Sequence, residues 1–349
     1  MKNLSIEHHI ESRENLAVAE AHANIALVKY WGKREHNKNL PAVGSISLTL
    51  DALKTRTKLS INPGYSTDEF ILNGTPLEGA ELHRISRFAT LICGTDKRLR
   101  FQGESNNNFP TGAGLASSAS GYAALTAAFN EVYSVNMGME SLSQFARRGS
   151  GSAARSLYGG FVEMIAGKGT DETHDHAEQL YDENYWDVKM VIAITSEDKK
   201  TIGSTDGMNR TASTSPYYPS WVDSSRKDIQ EMKMAIRDRD IEKAGELAEH
   251  SAFKMHGLAM SARPPILYWN PVTVEAIQAV WDQRKKGLKA YITMDAGPQV
   301  KVFCEGGTDK VVSELLESIP GVIKVITAGP GPSVKAGKRN PNNNHLNGK

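Results

Sequence analysis

Cysteine is nearly absent, with only Cys93 and Cys304 in 349 residues. Two such residues make neither a disulfide framework nor a metal-ligand spacing, so the chain reads as a reduced protein held by an ordinary core. Net charge is just as scarce, because 41 basic and 40 acidic side chains leave +1. No global field therefore draws the chain to nucleic acid or to an anionic membrane, and an anion must be met by local clusters. Long apolar runs are missing too. None approaches the roughly 18 residues that span a bilayer, and the opening MKNLSIEHHIESREN has no apolar core of a signal peptide. These absences predict a cytoplasmic protein with no nucleic-acid and no membrane partner. The pair His174 and His176 has metal-chelating spacing but sits in an acidic loop, and no metal site is assigned to it.

What remains is a composition of 40% hydrophobic and 23% charged residues, ordinary for a globular protein of about two domains. Residues 1–15 are polar and read as a loose N-terminus. The first domain spans 16–185. Within it, Leu16–Lys29 and Ser45–Asn62 alternate as strands, and Asp68–Pro76 forms a hairpin around Asn73-Gly74. Helical spacing covers Glu78–Cys93, a strand falls near Leu99–Gln102, and Ser141–Arg148 forms a helix capped by Ser141 or Ser143. The acidic stretch GKGTDETHDHAEQLYDENY marks the boundary, and the second domain covers 186–330. Its order of strands and helices predicts a two-layer α+β unit. Residues 331–349 are Pro, Gly, Asn and Lys without apolar periodicity, which predicts a disordered tail.

The most informative stretch is SNNNFPTGAGLASSASGYAALTAA, residues 105–128. A loop rich in Gly and Ser runs directly into an Ala-rich helix, so free backbone N–H groups and the positive end of a helix dipole face one point. Gly112 and Gly114 permit close approach, and Ser117, Ser118 and Ser120 add hydroxyl donors. The stretch is neither GxxxxGK[ST] nor GxGxxG, and taken alone it also reads as a flexible linker. Three further segments gather charge. ANIALVKYWGKR sets Lys29, Lys33 and Arg34 beside Tyr30 and Trp31; RRGSGSAARSLYGG offers Ser150, Gly151, Ser152 and then Arg155 on a helix; TMDAGP places Asp295 at a strand end. Two donor loops, a basic segment and one carboxylate are the equipment of phosphoryl transfer, whose work is positioning and charge neutralisation.

PTGAGLASSAS resembles the phosphate loop of the small-molecule kinase superfamily of galactokinase, homoserine kinase, mevalonate kinase and phosphomevalonate kinase. The finer resemblance is to the diphosphomevalonate decarboxylase family. NIALVKYWGKR, NLPAVGSISLTLD, NNFPTGAGLASSASG, RRGSGSAARSLYGGFVE, GSTDGM, PPILYWN and MDAGPQVKVF follow its pattern in order over about residues 21–331. The resemblance implies an α+β, two-domain small-molecule kinase superfamily fold. Its N-terminal half is ribosomal-protein-S5-domain-2-like, with a left-handed βαβ unit, and its C-terminal half is ferredoxin-like.

The same resemblance implies an ATP-dependent and Mg²⁺-dependent decarboxylation of mevalonate 5-diphosphate to isopentenyl diphosphate, in a homodimer. It makes Asp295, Arg155 and Lys29 catalytic, with Lys29 equally readable as structural. It assigns Asn24, Tyr30, Lys33, Ser150, Gly151, Ser152, Arg155 and Ser204 to the substrate. Pro110, Gly112, Gly114, Leu115, Ala116, Ser117, Ser118, Ser120 and Lys199, or Lys200 in its place, go to ATP, and Ser118 is the one metal contact considered. Ser196–Met208 matches a region that closes over substrate in the family, and His256 reads as a structural histidine. The alternatives are a kinase or decarboxylase acting on mevalonate or its 5-phosphate, and a catalytically inactive ligand sensor.

Overall fold

The computed structural model describes residues 15–109, 116–198 and 200–339. Pro110, Gly112, Gly114, Leu115 and Lys199, all assigned to ATP above, lie outside the described residues.

Among the described residues, the N-terminal half holds three helices and seven strands of an eight-stranded sheet, whose eighth strand comes from residues 335–339, beside a separate two-stranded pair. The sheet's long members are β1 (Asn15–Val28) and β4 (Ser45–Ile61), paired antiparallel, with the short pair β2 (Lys33–Glu35) and β3 (Leu40–Pro41) between them in sequence. Next come β5 (Glu69–Leu72), β6 (Thr75–Pro76), α1 (Gly79–Cys93) and β7 (Phe101–Asn107). β5 and β7 run parallel, so α1 is the crossover of a βαβ unit. α2 (Ser117–Val132) and α3 (Met139–Gly149) follow, then a single 3₁₀ turn at Arg155–Leu157, β8 (Phe161–Met164) and β9 (Ala177–Tyr181). Alanine on both surfaces lets α2 lie close on β1, where Ala123, Ala124, Ala127 and Ala128 meet Ala17, Ala19 and Ala21 in one core.

The C-terminal half begins with β10 (Val188–Ile194). Four helices follow, α4 (Ser204–Thr214), α5 (Tyr218–Arg237), α6 (Ile241–Ser261) and α7 (Pro271–Arg284), then β11 (Ala290–Thr293), β12 (Val300–Glu305), α8 (Asp309–Glu317) and β13 (Lys324–Ala328). The four strands stand in the order β11-β12-β10-β13, all neighbours antiparallel. In sequence terms that is second-third-first-fourth, the ferredoxin-like arrangement.

The two halves share a core. Ile25, Leu27, Leu48 and Phe161 pack with Met190 and Ile192 of β10, Met232 and Ile236 of α5, and Phe303 of β12. Along β1, Ala17, Ala19 and Ala21 belong to the core under α2, whereas Ala23, Ile25 and Leu27 belong to the shared one. A register irregularity between His22 and Asn24 falls where that change occurs, and a second lies between Ala26 and Val28. Such breaks re-aim side chains beside functional sites.

Three expectations need correcting. The tail does not start at 331, because β14 (Lys335–Arg339) pairs antiparallel with β1 from Leu16↔Arg339 to Glu20↔Lys335. Its lead-in is also held, with Gly331 N donating to Thr49 O at 2.7 Å and Val334 N to Leu157 O at 3.0 Å. An edge strand draws its stability from backbone bonds, so polar composition did not prevent it. α3 starts at Met139 after Gly138 with no side-chain cap, and Ser143 instead donates to Glu140 O and accepts from Ala177 N. Arg155 stands on a 3₁₀ turn rather than an α-helix.

Candidate active site

One cavity of about 420 Å³ opens between the halves. Five of the segments that line it carry the residues named from the sequence. The end of β1 and the loop after it supply Asn24, Lys29, Tyr30 and Lys33; the start of α2 supplies Ala116, Ser117 and Ser118. The loop after α3 gives Ser150, Gly151, Ser152 and Arg155, the approach to α4 gives Lys200 and Ser204, and the turn after β11 gives Asp295. The structure thus brings together nearly all the described residues named from the sequence. Ser120 is the exception and is a correction: its hydroxyl is buried one turn into α2, 2.7 Å from Thr55 Oγ1, and does not line the cavity.

Both helix ends that face the cavity are open. Ala116 precedes α2 in the left-handed region at φ 57, and neither α2 nor α4 has a side-chain cap. Their first-turn N–H groups and dipoles are therefore available to an anion. Ser118 Oγ lies 3.2 Å from Ser150 Oγ, which lies 3.4 Å from Ser152 Oγ, a hydroxyl chain joining the two donor loops. Gly151 is required by space, since a Cβ there would sit 2.2 Å from Tyr30 Oη.

Charge in this cavity is lopsided. Among the described residues Lys29, Lys33, Arg84, Arg155 and Lys200 line it against Asp295 alone. Arg155 is 2% exposed. It donates to Ser47 Oγ at 2.9 Å, Ser45 Oγ at 2.5 Å and Asn24 Oδ1 at 3.2 Å. Asn24 is itself fixed, donating to Ser152 O at 3.0 Å and Ser156 Oγ at 2.8 Å. These partners are neutral. They replace water but cancel no charge, and among the described residues no carboxylate pairs with Arg155. Burial accordingly lowers its pKa to about 10. A buried cation in this state is stabilised by any anion that arrives.

Asp295 is the opposite case. Lys29 Nζ donates to Oδ1 at 2.8 Å, and Lys301 Nζ lies 3.2 Å from Oδ2. Burial acts to raise its pKa, but the two lysines outweigh it and hold the carboxyl well below the usual range. Lys29 also donates to Ala26 O at 2.8 Å. Its pKa falls to about 8, chiefly by burial, with the pull of Asp295 opposing the drop. Burial raises Tyr30 to about 12, so it stays a neutral donor. It lowers His256 to about 3, assisted by the Lys29 charge, so that imidazole is neutral at working pH, but its Nε2 is buried without a hydrogen-bond partner among the described residues and is not the satisfied structural histidine expected. Lys200, lowered by burial, donates to Ser204 Oγ at 2.8 Å and Ala296 O at 3.1 Å, tying the loop before α4 to the turn that carries Asp295.

Sequence reasoning missed several members. Ser45 and Ser47 are the alternate positions of SISLTL that point away from the apolar face of β4, which is the only signal they gave. Arg84 of α1 lies over the ring of Tyr122 of α2 at 5.6 Å, and both reach the cavity wall, though the sequence gave neither residue a role there. Lys301 lies inside the MDAGPQVKVF motif, of which only Asp295 was given a role.

Comparison with known proteins decides the relationship. Residues 21–176 match the Diphosphomevalonate decarboxylase-like N-terminal domain, and residues 190–342 match the Mevalonate 5-diphosphate decarboxylase C-terminal domain. The chain belongs to the diphosphomevalonate decarboxylase family. The family member of Candida albicans is 35% identical over 350 residues, covering 90% of this chain and 97% of the relative; that of Homo sapiens is 35% identical over 319, covering 86% and 78%. Among solved structures, mevalonate diphosphate decarboxylase from Staphylococcus aureus superposes with a TM-score of 0.87 at 35% identity, over 93% of this chain and 98% of that one. The structure named "MDDEF in complex with MVAPP, AMPPCP and Magnesium" gives 0.86 at 38%, over 93% and 100%. No helix among the described residues is long and apolar enough to cross a membrane.

Proposed function

We propose that this protein carries out the ATP-dependent decarboxylation of mevalonate 5-diphosphate to isopentenyl diphosphate. The observation that carries the reading is the opposition, inside one cation-rich cavity, of a buried Arg155 with no counter-ion among the described residues and an Asp295 held anionic by two lysines. The substrate has the complementary groups, a carboxylate, a tertiary hydroxyl and a diphosphate.

The Arg155 fork receives the substrate carboxylate in a planar two-bond arrangement that also aligns the bond to be broken. Tyr30, Lys33, Ser150, Ser152 and Ser204 hold the diphosphate, with Gly151 leaving room for Tyr30. Ala116, Ser117 and Ser118 offer backbone and hydroxyl donors to the ATP phosphates, and Lys200 adds charge. Ser118 and the nucleotide oxygens would hold Mg²⁺, which would supply charge neutralisation.

Asp295 accepts the hydrogen bond of the 3-hydroxyl and aims its oxygen at the γ-phosphorus, and the hydroxyl proton passes to an oxygen of the transferred phosphoryl group and leaves with it, so Asp295 stays anionic. The P–O bond to ADP breaks as the new one forms. The C3–O bond then breaks and phosphate leaves with that pair. The C1–C2 pair becomes the C2=C3 double bond, and C1 departs as carbon dioxide. The anionic Asp295 stabilises the positive charge developing at C3. A cytoplasmic, homodimeric enzyme is part of the same reading, and sedimentation of the purified chain tests the dimer.

The reading is tested by assaying ADP and carbon dioxide separately with mevalonate, its 5-phosphate and its 5-diphosphate. Equal release of both from the diphosphate alone is expected. ADP without carbon dioxide would make the protein a kinase, and neither product would make it a ligand sensor. Asp295→Asn should abolish turnover while ATP binding, followed by calorimetry, persists.

A further inference from the structure

We propose that Lys301 is a positioning residue for this reaction. From β12, behind the cavity wall, it holds Oδ2 of Asp295 so that the carboxylate stays aimed and anionic while Lys29 is left to face the ligand. The inference rests on the decarboxylase reading and adds to it a division of labour between two lysines.

The two cations approach Asp295 from different sides. Lys29 takes Oδ1 and lines the cavity; Lys301 takes Oδ2 and does not line it. Each is 1% exposed, whereas Asp295 is 26% exposed, through the cavity mouth. Lys301 therefore stands behind the cavity wall and bears on the reaction through Asp295.

Strand register explains how it gets there. Lys301 stands directly opposite Thr293 on β11, and Asp295 lies two residues beyond Thr293. That is the diagonal relation on one face of an antiparallel pair, within reach of a long side chain. The placement is unusual for its strand. Val300, Val302 and Cys304 face one core and Phe303 the other, so Lys301 takes a position where an apolar side chain is the ordinary occupant.

A buried ammonium at that point costs solvation, and a lysine kept only for packing has no need to meet a carboxylate oxygen. With Lys301 in place, Lys29 can turn its charge toward an arriving phosphate and Asp295 keeps a counter-ion. Without Lys301, that turn leaves the carboxylate bare inside the protein. The charged or titratable groups around Asp295 are Lys29 from the end of β1, Lys301 from β12, Arg155 from the 3₁₀ turn, Lys200 from the loop before α4 and His256 from α6. Among the described residues, Lys29 and Lys301 are the two that bond to its carboxylate oxygens.

The test uses the full chain with ATP, Mg²⁺ and mevalonate 5-diphosphate, reading carbon dioxide and ADP from pH 5 to 9. Wild-type enzyme must first release both; its failure to do so sinks the decarboxylase reading and not this inference. In Lys301→Met, kcat should drop by about tenfold or more with both KM values within about threefold, because transition-state alignment is lost and binding is not. The loss should be the same across that pH range, because Asp295, still bonded to Lys29, titrates below it. Lys301→Arg should bring kcat within about fivefold of wild type. An unchanged kcat in Lys301→Met, or a change confined to KM, overturns the proposal. If Lys301→Met does not fold, the double variant Asp295→Asn/Lys301→Met decides. Its folding and binding of ATP show that Lys301 serves the carboxylate, and its failure to fold makes Lys301 structural and ends the proposal.

Discussion

Lys29 shows how far a single side chain is remade by its surroundings. Its folded pKa of about 8 lies below the ordinary 10.5, mainly because it is buried. Between those two values the unfolded chain binds more protons, so this residue makes stability rise with pH across that window. Catalysis runs the other way, since the free enzyme loses a cation from its anion site above pH 8. We expect kcat/KM to decline above about pH 8 and the Lys29→Met variant to lack that limb; an identical limb in the variant would assign it elsewhere. Asp295 gives the same slope in a lower window, because there too the unfolded chain binds more protons. Its depressed pKa contributes stability above the unfolded value, lost only as pH falls through the folded one, so it gives no transition near neutrality. Arg155→Lys should cost more than about tenfold in kcat/KM, because a point charge replaces a fork fixed by Ser45, Ser47 and Asn24. Wild-type kinetics there would reduce Arg155 to a structural cation.

At the scale of elements, the site depends on where strands and helices end. α2 and α4 both start uncapped at the cavity, and a break in the register of β1 coincides with the turn of Asn24 toward Arg155. β14 is the element that composition concealed. It protects the outer edge of β1 along the five residues Leu16 to Glu20. Deleting everything after Gly331 should therefore lower Tm by at least about 4 °C, taking roughly 2–4 °C per kcal/mol for a domain of this size. An unchanged melting curve would show that the strand contributes nothing and that the tail is dispensable after all.

At the scale of the whole molecule, the cavity is built by both halves over a shared core, and its excess of buried positive charge is the cost the apoprotein carries. Ligands that bring negative charge should offset it. A saturating diphosphate substrate at about 100-fold its Kd adds about 2.7 kcal/mol by mass action alone. We expect one cooperative melting transition that moves upward with substrate or with MgATP. Two separate transitions, only one of them ligand-responsive, would mean that the halves unfold independently.

Sequence by itself was enough for whatever depends on local pattern. The Gly/Ser loop entering an Ala-rich helix, the small-residue loop before Arg155 and the Asp in TMDAGP each carry their chemistry in consecutive residues, and ordered motifs named the family before any fold was seen. Helices and strands were legible because apolar periodicity is local. What the tertiary structure alone decided were the pairings. The hydroxyls of Ser45 and Ser47 under Arg155, the two lysines on opposite oxygens of Asp295, the burial of Ser120 and the strand made by a polar tail all join residues far apart in the chain. Their physical cause is burial and backbone pairing across strands. A hydroxyl or ammonium acquires its partner, and a lysine its altered pKa, only when the two halves close and exclude water.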